Sequence, residues 1–381
     1  MGKRIKLGLI FSHNERWIGG TYYILNLISA LKTLPTEKQP QIIILSNNKN
    51  DFQIAKETNY PFLECRNPFL FRRNLAEKII DKFHKIFFGK YIIDKRISRT
   101  NLDVIFPANN DYVYQKITNK IYWFADFQYV ELPHFFSKDE LHNLDSFIKG
   151  IAKSNQHLIL SSKNAKTYWD KINIDKNCKV SVIPFAVTHP SIGDVDIKEL
   201  VQEFKLQEPY FIVSNQFWAH KNHIVVLKAI MILLHNKNDF QFVFTGKGDD
   251  YRDEGFYKTI LDFIDVNALN KNVKILGLID RKKQLKLMQH SLAVIQPSLF
   301  EGWSSVIEDA KALGCTIIAS NIDVHYEQLG DDGIYFEKNN EIDLADKILK
   351  YSNSRDFQPT PYSNSVKIFA TKFLEVIENY D

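Results

Sequence analysis

The chain has 381 residues, 45% of them hydrophobic, and a formal net charge of +4. That length fits about two or three domains, each able to bury a core in a soluble globular protein, and the modest charge argues against a nucleic-acid partner. Three scattered cysteines, Cys65, Cys178 and Cys315, lack metal-ligand spacing and suit a reducing cytosol; no apolar run nears the ~20 residues of a membrane span, and the immediate start of a strand, with Lys6 where myristoylation prefers Ser or Thr, argues against a signal peptide or lipid anchor.

Short β-branched runs alternate with amphipathic stretches along the chain. In the first half, strands are expected at 5–12, 41–46, 103–107, 121–124, 157–162 and 179–185, with helices such as 21–34 and 141–153 between them. Gly19-Gly20 lies between the first strand and its helix, well short of a G-x-G-x-x-G fingerprint, and Tyr22 and Tyr23 behind it read as core. Between Arg72 and Arg99 stand nine Lys/Arg against three Asp/Glu, interleaved with Ile79, Ile80, Phe83, Ile86, Phe87 and Phe88. That pattern is either a solvated helix packed on the first domain or a basic amphipathic helix for an anionic membrane surface. Ser162 is placed to cap the helix after the fifth strand.

The second half repeats the style, with strands expected at 210–215, 241–245, 273–277, 292–296, 316–320 and 333–336. Two such series predict an α/β fold of two Rossmann-like domains with parallel sheets. The domains are expected at 1–190 and 209–360, divided by the weakly patterned segment 188–209, which holds Pro190, Gly193 and Pro209. Gln358-Pro359-Thr360-Pro361 then precedes a last amphipathic helix, making 361–381 a C-terminal helix placed to cross back onto the first domain.

The strand-end loops of this half carry the chemistry. After the first strand come Asn215, Gln216 and Lys221, flanked by His220 and His223, which have no nearby carboxylate to complete a metal set and read as hydrogen-bonding or helix-start residues. Gly246-Lys247-Gly248 permits close backbone approach or is a plain turn. Leu278 follows the third strand. The apolar run 292–295 ends at Pro297-Ser298, a loop holds Glu301 and Gly302, and a helix begins near Ser305. In open α/β sheets ligands sit at the carboxyl ends of strands, beside helix N-termini that attract phosphate. Carboxylates at that mouth would repel phosphate and suit hydroxyls. The stretch therefore predicts a ligand both phosphorylated and polyhydroxylated. Glu308 reads either as a hydroxyl ligand or as the N3 residue of a capping box whose N-cap is Ser305.

Glu301-Gly302, the pair Glu308-Asp309, then Ala310, Ala312, Gly314 and Ala319-Ser320-Asn321 resemble the E-x7-E region of retaining GT-B glycosyltransferases, the glycosyl transferases group 1 type. The resemblance implies that Glu301 meets the donor sugar and a second acidic residue the nucleotide ribose. Counted without a gap that residue is Asp309, and Glu308 falls one position early. Trp303-Ser304-Ser305 stands where many members have a Phe-Gly-Leu type of run, and with Val306 it forms the phosphate-facing helix start. Lys221 matches the family's diphosphate lysine. Asn215 or Gln216 occupies the arginine position, so amide and backbone donors replace one charge. By the same resemblance, Gly19-Gly20 faces the diphosphate and acceptor, Gly246 and Lys247 lie near the donor, Leu278 lies beside the base, and Asp126 approaches the acceptor unless it is only a turn cap. The implied protein is a retaining glycosyltransferase using a nucleotide-diphospho sugar and a glycan or lipid-linked acceptor, without a metal or other cofactor, in surface polysaccharide synthesis. It is expected in the cytoplasm, or peripheral at the inner face of the plasma membrane through 72–99. The alternatives are a sugar-nucleotide epimerase on the same fold or a catalytically silent glycan-binding scaffold.

Overall fold

A computed structural model describes residues 4–14, 17–46, 48–66, 75–88, 101–108, 119–248, 253, 255–352 and 361–379. The first half contains β1 (Lys6–Ile10), α1 (Ile18–Lys32), β2 (Gln41–Leu45), α2 (Lys49–Lys56), β3 (Leu63–Cys65), α3 (Leu75–Phe88), β4 (Val104–Phe106), β5 (Ile121–Phe124), α4 (Gln128–Glu131), α5 (Lys138–Ala152), β6 (His157–Leu160), α6 (Lys163–Lys171) and β7 (Lys179–Val182). Its strands pair in parallel in the order β3-β2-β1-β4 and β5-β6-β7, and a bridge between Ile105 and Lys120 joins the two sets. Ile42, Ile43 and Ile44 are all fully buried, as expected for a parallel strand covered on both faces.

The second half contains α7 (Ile197–Phe204), β8 (Tyr210–Ser214), α8 (His223–His235), β9 (Gln241–Thr245), α9 (Phe256–Val266), β10 (Val273–Gly277), α10 (Arg281–His290), β11 (Val294–Gln296), α11 (Ser305–Leu313), β12 (Ile317–Ser320), α12 (Asp323–Leu329), β13 (Ile334–Phe336), α13 (Glu341–Ser352) and α14 (Ser363–Glu378). The sheet order is β10-β9-β8-β11-β12-β13, parallel at every pair. The order reverses between β8 and β11, where ligand crevices form in such sheets.

Two local differences from the sequence reading have plain causes. The segment expected as a weakly patterned linker holds α7, capped by Asp196 accepting from Lys198 N, with Leu200 buried beside Leu285 of α10. Its apolar residues Ile197, Leu200, Val201 and Phe204 follow helical spacing. β3 was not foreseen, because three residues at a sheet edge offer no apolar run. The chain leaves the first core after Val187, and α14 returns to it: Phe369 and Phe373 are fully buried there, and Phe373 meets Phe106 edge-on at 4.9 Å.

Candidate active site

The carboxyl ends of the two sheets face one another across a cleft. The first domain contributes the loop before α1 and the β5–α4 loop; the second contributes the loops after β8 and β11. The domains touch at Gly302. A Cβ there would lie 2.1 Å from Ala125 O and 2.6 Å from Asp126 Cβ, so only glycine permits this approach. Asp126 thus sits beside the Glu301 loop. Its Oδ1 also accepts from Gln128 N at 2.9 Å, so it lines the cleft and holds the turn at once.

Glu301 and Lys221 form an ion pair at 2.5 Å, their side chains only 9% and 16% exposed. Lys221 ends a short turn at the carboxyl end of β8, and Asn222 after it takes a left-handed φ of 52° to start α8. Glu301 Oε1 also accepts from Gln296 Nε2 at 2.8 Å and Ser298 Oγ at 2.7 Å. Asn215 Nδ2 donates to Gln296 Oε1 at 2.8 Å. Strand-end amides therefore brace the carboxylate, and all three of its bonds fall on one oxygen.

Glu308 and Asp309 part company. The helix cap is Ser304, whose hydroxyl accepts from Ile307 N at 3.3 Å, so the expected capping box of Ser305 and Glu308 does not form. Ser305 is already the first helical residue, which moves Glu308 one place too far along to reach back. Glu308 lies outside the cleft lining. It accepts from Tyr362 OH at 2.6 Å, Gln328 Nε2 at 3.0 Å and Lys311 Nζ at 3.3 Å. Burial pushes its carboxyl above the ordinary range, with Lys311, Tyr362 and Gln328 pulling the other way. Asp309 lines the cleft instead. It accepts from His189 Nε2 at 2.9 Å and pairs with Arg281. Burial would raise its carboxyl, but the Arg281 and His189 contacts outweigh it and hold the group below its usual range. The Arg281 guanidinium lies over the Tyr22 ring at 4.8 Å, reaching the first domain.

Of the residues singled out in the sequence, one chamber of about 180 Å³ gathers Gly19, Asp126, Asn215, Gln216, Lys221 and Glu301, along with Gly302, Trp303, Ser304, Ser305 and Val306. A second, of about 100 Å³, shares Gly19, Asn215, Gln216, Ser305 and Val306 with the first and adds Gly246, Lys247, Leu278 and Asp309. Gly246 must be glycine, since its φ is +141° and a Cβ would meet Asn215 O at 2.1 Å. Gly20 does not line the cleft; it is buried beneath Trp17. Sequence reasoning missed Arg281, His189, Gln296 and Ser298. Arg281 had a signal: Asp280 caps α10 by accepting from Lys282 N and Lys283 N, which puts Arg281 at a helix start beside a strand end. His223 is buried against Phe217, ring on ring at 4.5 Å, and burial lowers its pKa to about 3. Among the described residues, no three His, Cys, Asp or Glu side chains gather as metal ligands would, and no helix is long and apolar enough to cross a membrane. Of the basic segment 72–99, only Leu75–Phe88 is within the described residues; Leu75, Ile79, Ile80 and Phe83 are exposed on it.

Residues 196–367 match the family model described as Glycosyl transferases group 1. The UDP-Gal:alpha-D-GlcNAc-diphosphoundecaprenol alpha-1,3-galactosyltransferase of Escherichia coli is 30% identical over 151 residues, which is 38% of this chain and 37% of that protein. The N-acetylgalactosamine-N,N'-diacetylbacillosaminyl-diphospho-undecaprenol 4-alpha-N-acetylgalactosaminyltransferase of Campylobacter jejuni is 24% identical over 344 residues, 88% of this chain and 87% of that one. Among solved structures, Anabaena Alr3699/HepE in complex with UDP and glucose superposes with a TM-score of 0.68 at 16% identity, covering 99% of this chain and 100% of that one. The likeness of fold extends over both domains, while the alignment to the E. coli protein spans less than two fifths of that relative. The chain thus has the GT-B architecture throughout, and its second domain is similar to the glycosyl transferases group 1.

Proposed function

We propose that the protein transfers a sugar from a nucleotide-diphospho sugar to a glycan or lipid-linked acceptor, with retention of anomeric configuration, in the assembly of a surface polysaccharide. The observation that carries this reading is the Lys221–Glu301 pair, set between the first turn of α11 and Asp126 of the opposite domain. The curated relatives support the acceptor class and the stereochemistry, since their names specify diphosphoundecaprenol-linked acceptors and alpha linkages.

In this reading the diphosphate lies between Lys221 and the amides of Ser305 and Val306, where a cation and a helix N-terminus both favour negative charge. Asp309 takes a ribose hydroxyl, and Glu301 Oε2 a sugar hydroxyl. As the bond from sugar C1 to the phosphate oxygen breaks, charge grows on the diphosphate and is held by donors already in place. The acceptor hydroxyl, oriented by Asp126, adds to C1 on the face the diphosphate leaves, and its proton goes to the departing phosphate oxygen. Charge neutralisation is assigned to Lys221 and the helix, with no metal or other cofactor in the scheme. The enzyme works at the cytoplasmic face of the plasma membrane, held peripherally by 72–99.

Two variants test the assignment. Lys221→Ala should weaken nucleoside diphosphate binding by about 1.5–3 kcal/mol, the scale of a hydrogen bond to a charged group. Glu301→Gln should abolish transfer yet keep nucleoside diphosphate affinity, because it removes a competitor for Lys221. Calorimetry and nucleotide release read both. Unchanged affinity in folded Lys221→Ala, or wild-type transfer by Glu301→Gln, would overturn the roles.

A further inference from the structure

Trp17 has no part in the scheme above, yet it stands at the cleft. It immediately precedes α1, is 44% exposed, and lines the chamber of Glu301 and Asp126 but not that of Asp309 and Arg281. The side chain is held on two sides. Its ring stacks on Trp123 with centroids 5.7 Å apart and planes 15° from parallel. Trp123 in turn stacks on the fully buried Tyr23 at 3.9 Å and 7°, and its Nε1 donates to Ser161 Oγ at 3.0 Å. On another side the six-membered ring of Trp17 lies against Gly20, where a Cβ would meet ring carbons at 2.6 and 2.7 Å. The glycine after Gly19 is thus explained by the indole it seats rather than by a phosphate. An indole packed this firmly, with nearly half its surface in water inside a binding cleft, is a surface awaiting a flat apolar partner.

We propose that Trp17 is the platform of an acceptor-saccharide subsite, on which a pyranose ring lays its C–H face while Asp126 beside it takes a hydroxyl. The C–H face of a pyranose is apolar and slightly positive, and the face of an indole is electron-rich, so the two attract. Trp17 faces the side of the cleft where sugar hydroxyls, not a nucleotide, would meet Glu301. The inference rests on the reading as a sugar transferase and adds to it the wall that receives the acceptor.

The test uses the indole N–H signals of the five tryptophans, with the Trp17 signal identified by its loss in Trp17→Phe. The full-length protein is saturated with whichever of UDP, GDP, dTDP or ADP it binds. It is then titrated with the methyl glycosides of N-acetylglucosamine, N-acetylgalactosamine, galactose and glucose, and separately with dodecyl phosphate. The Trp17 signal should move with at least one glycoside. Trp17→Ala should weaken that glycoside about tenfold, Trp17→Phe should retain most of the affinity, and both should bind the nucleotide as wild type does. The platform is overturned if no glycoside moves the signal, if only dodecyl phosphate does, or if Trp17→Ala binds the glycoside unchanged. Failure of every nucleotide to bind wild-type protein would instead remove the transferase reading beneath it.

Discussion

Two neighbouring carboxylates on α11 share a turn of helix and have opposite surroundings. Asp309 faces two cationic or proton-donating partners in the cleft, whereas Glu308 is buried behind it among Tyr362, Gln328 and Lys311. Asp309→Asn leaves the Arg281 guanidinium, its side chain 20% exposed, without its counter-ion. That should cost about 3 kcal/mol of stability and lower nucleotide affinity. Glu308→Gln should leave nucleotide affinity alone and show itself through pH. The folded protein holds the Glu308 carboxyl above its ordinary value of 4.5. The wild type therefore loses stability as pH rises from about 4.5 through the folded value, because the unfolded chain releases the proton first. The variant cannot, so its melting temperature relative to wild type should climb as pH rises above about 4.5. A constant difference from pH 4 to 8 would contradict the buried-acid account.

At the scale of elements, α3 is the one that makes the membrane reading testable. Its exposed Leu75, Ile79, Ile80 and Phe83 belong to a segment whose net charge, nine basic against three acidic residues, exceeds that of the whole chain. Each basic residue near an anionic surface is worth about 1 kcal/mol and is screened by salt. Replacing Arg72, Arg73, Lys82 and Lys85 by Gln should reduce sedimentation with anionic liposomes, and raised salt should mimic the loss in wild type. Equal wild-type affinity for neutral and anionic vesicles would leave α3 an ordinary solvated helix. Elements with a continuous apolar run, such as β2, β8 and β9, were legible from sequence, because burial on both faces demands such runs. β3 and α7 were not, one for its brevity and the other for its setting among acidic residues, Pro and Gly. The candidate site divides in the same way. Glu301, Lys221, Ser305 and Asp309 were legible because strand-end loops carry ligands. His189 and Tyr362 were not, since they reach α11 from 120 and 54 residues away and only tertiary packing brings them in, while Arg281, 28 residues away, showed itself only as a helix start beside a strand end.

In the whole molecule, the two domains are bonded at several points around the cleft. Glu327 of α12 accepts from Lys163 N and Asn164 N at 2.7 and 3.0 Å, a carboxylate of one domain at the helix start of the other. Trp303 Nε1 donates to Phe185 O at 3.1 Å, and Tyr362 OH accepts from Val187 N at 2.8 Å, so the segment that leads from one domain to the other is gripped from the second domain and from the returning tail. These contacts bring Asp126 and Trp17 opposite Glu301 and Lys221, which is the arrangement a transfer between two substrates requires. The central claim is that a sugar crosses this cleft from a nucleotide diphosphate without inversion. Proton NMR of a panel of α-linked nucleotide sugars, followed with a lipid-diphosphate-linked saccharide acceptor, tests it most directly. The account predicts that one donor is consumed and that the new anomeric proton carries the small coupling of an α-gluco- or α-galacto-type linkage. The large coupling of a β linkage, or a panel left wholly unconsumed, would contradict it.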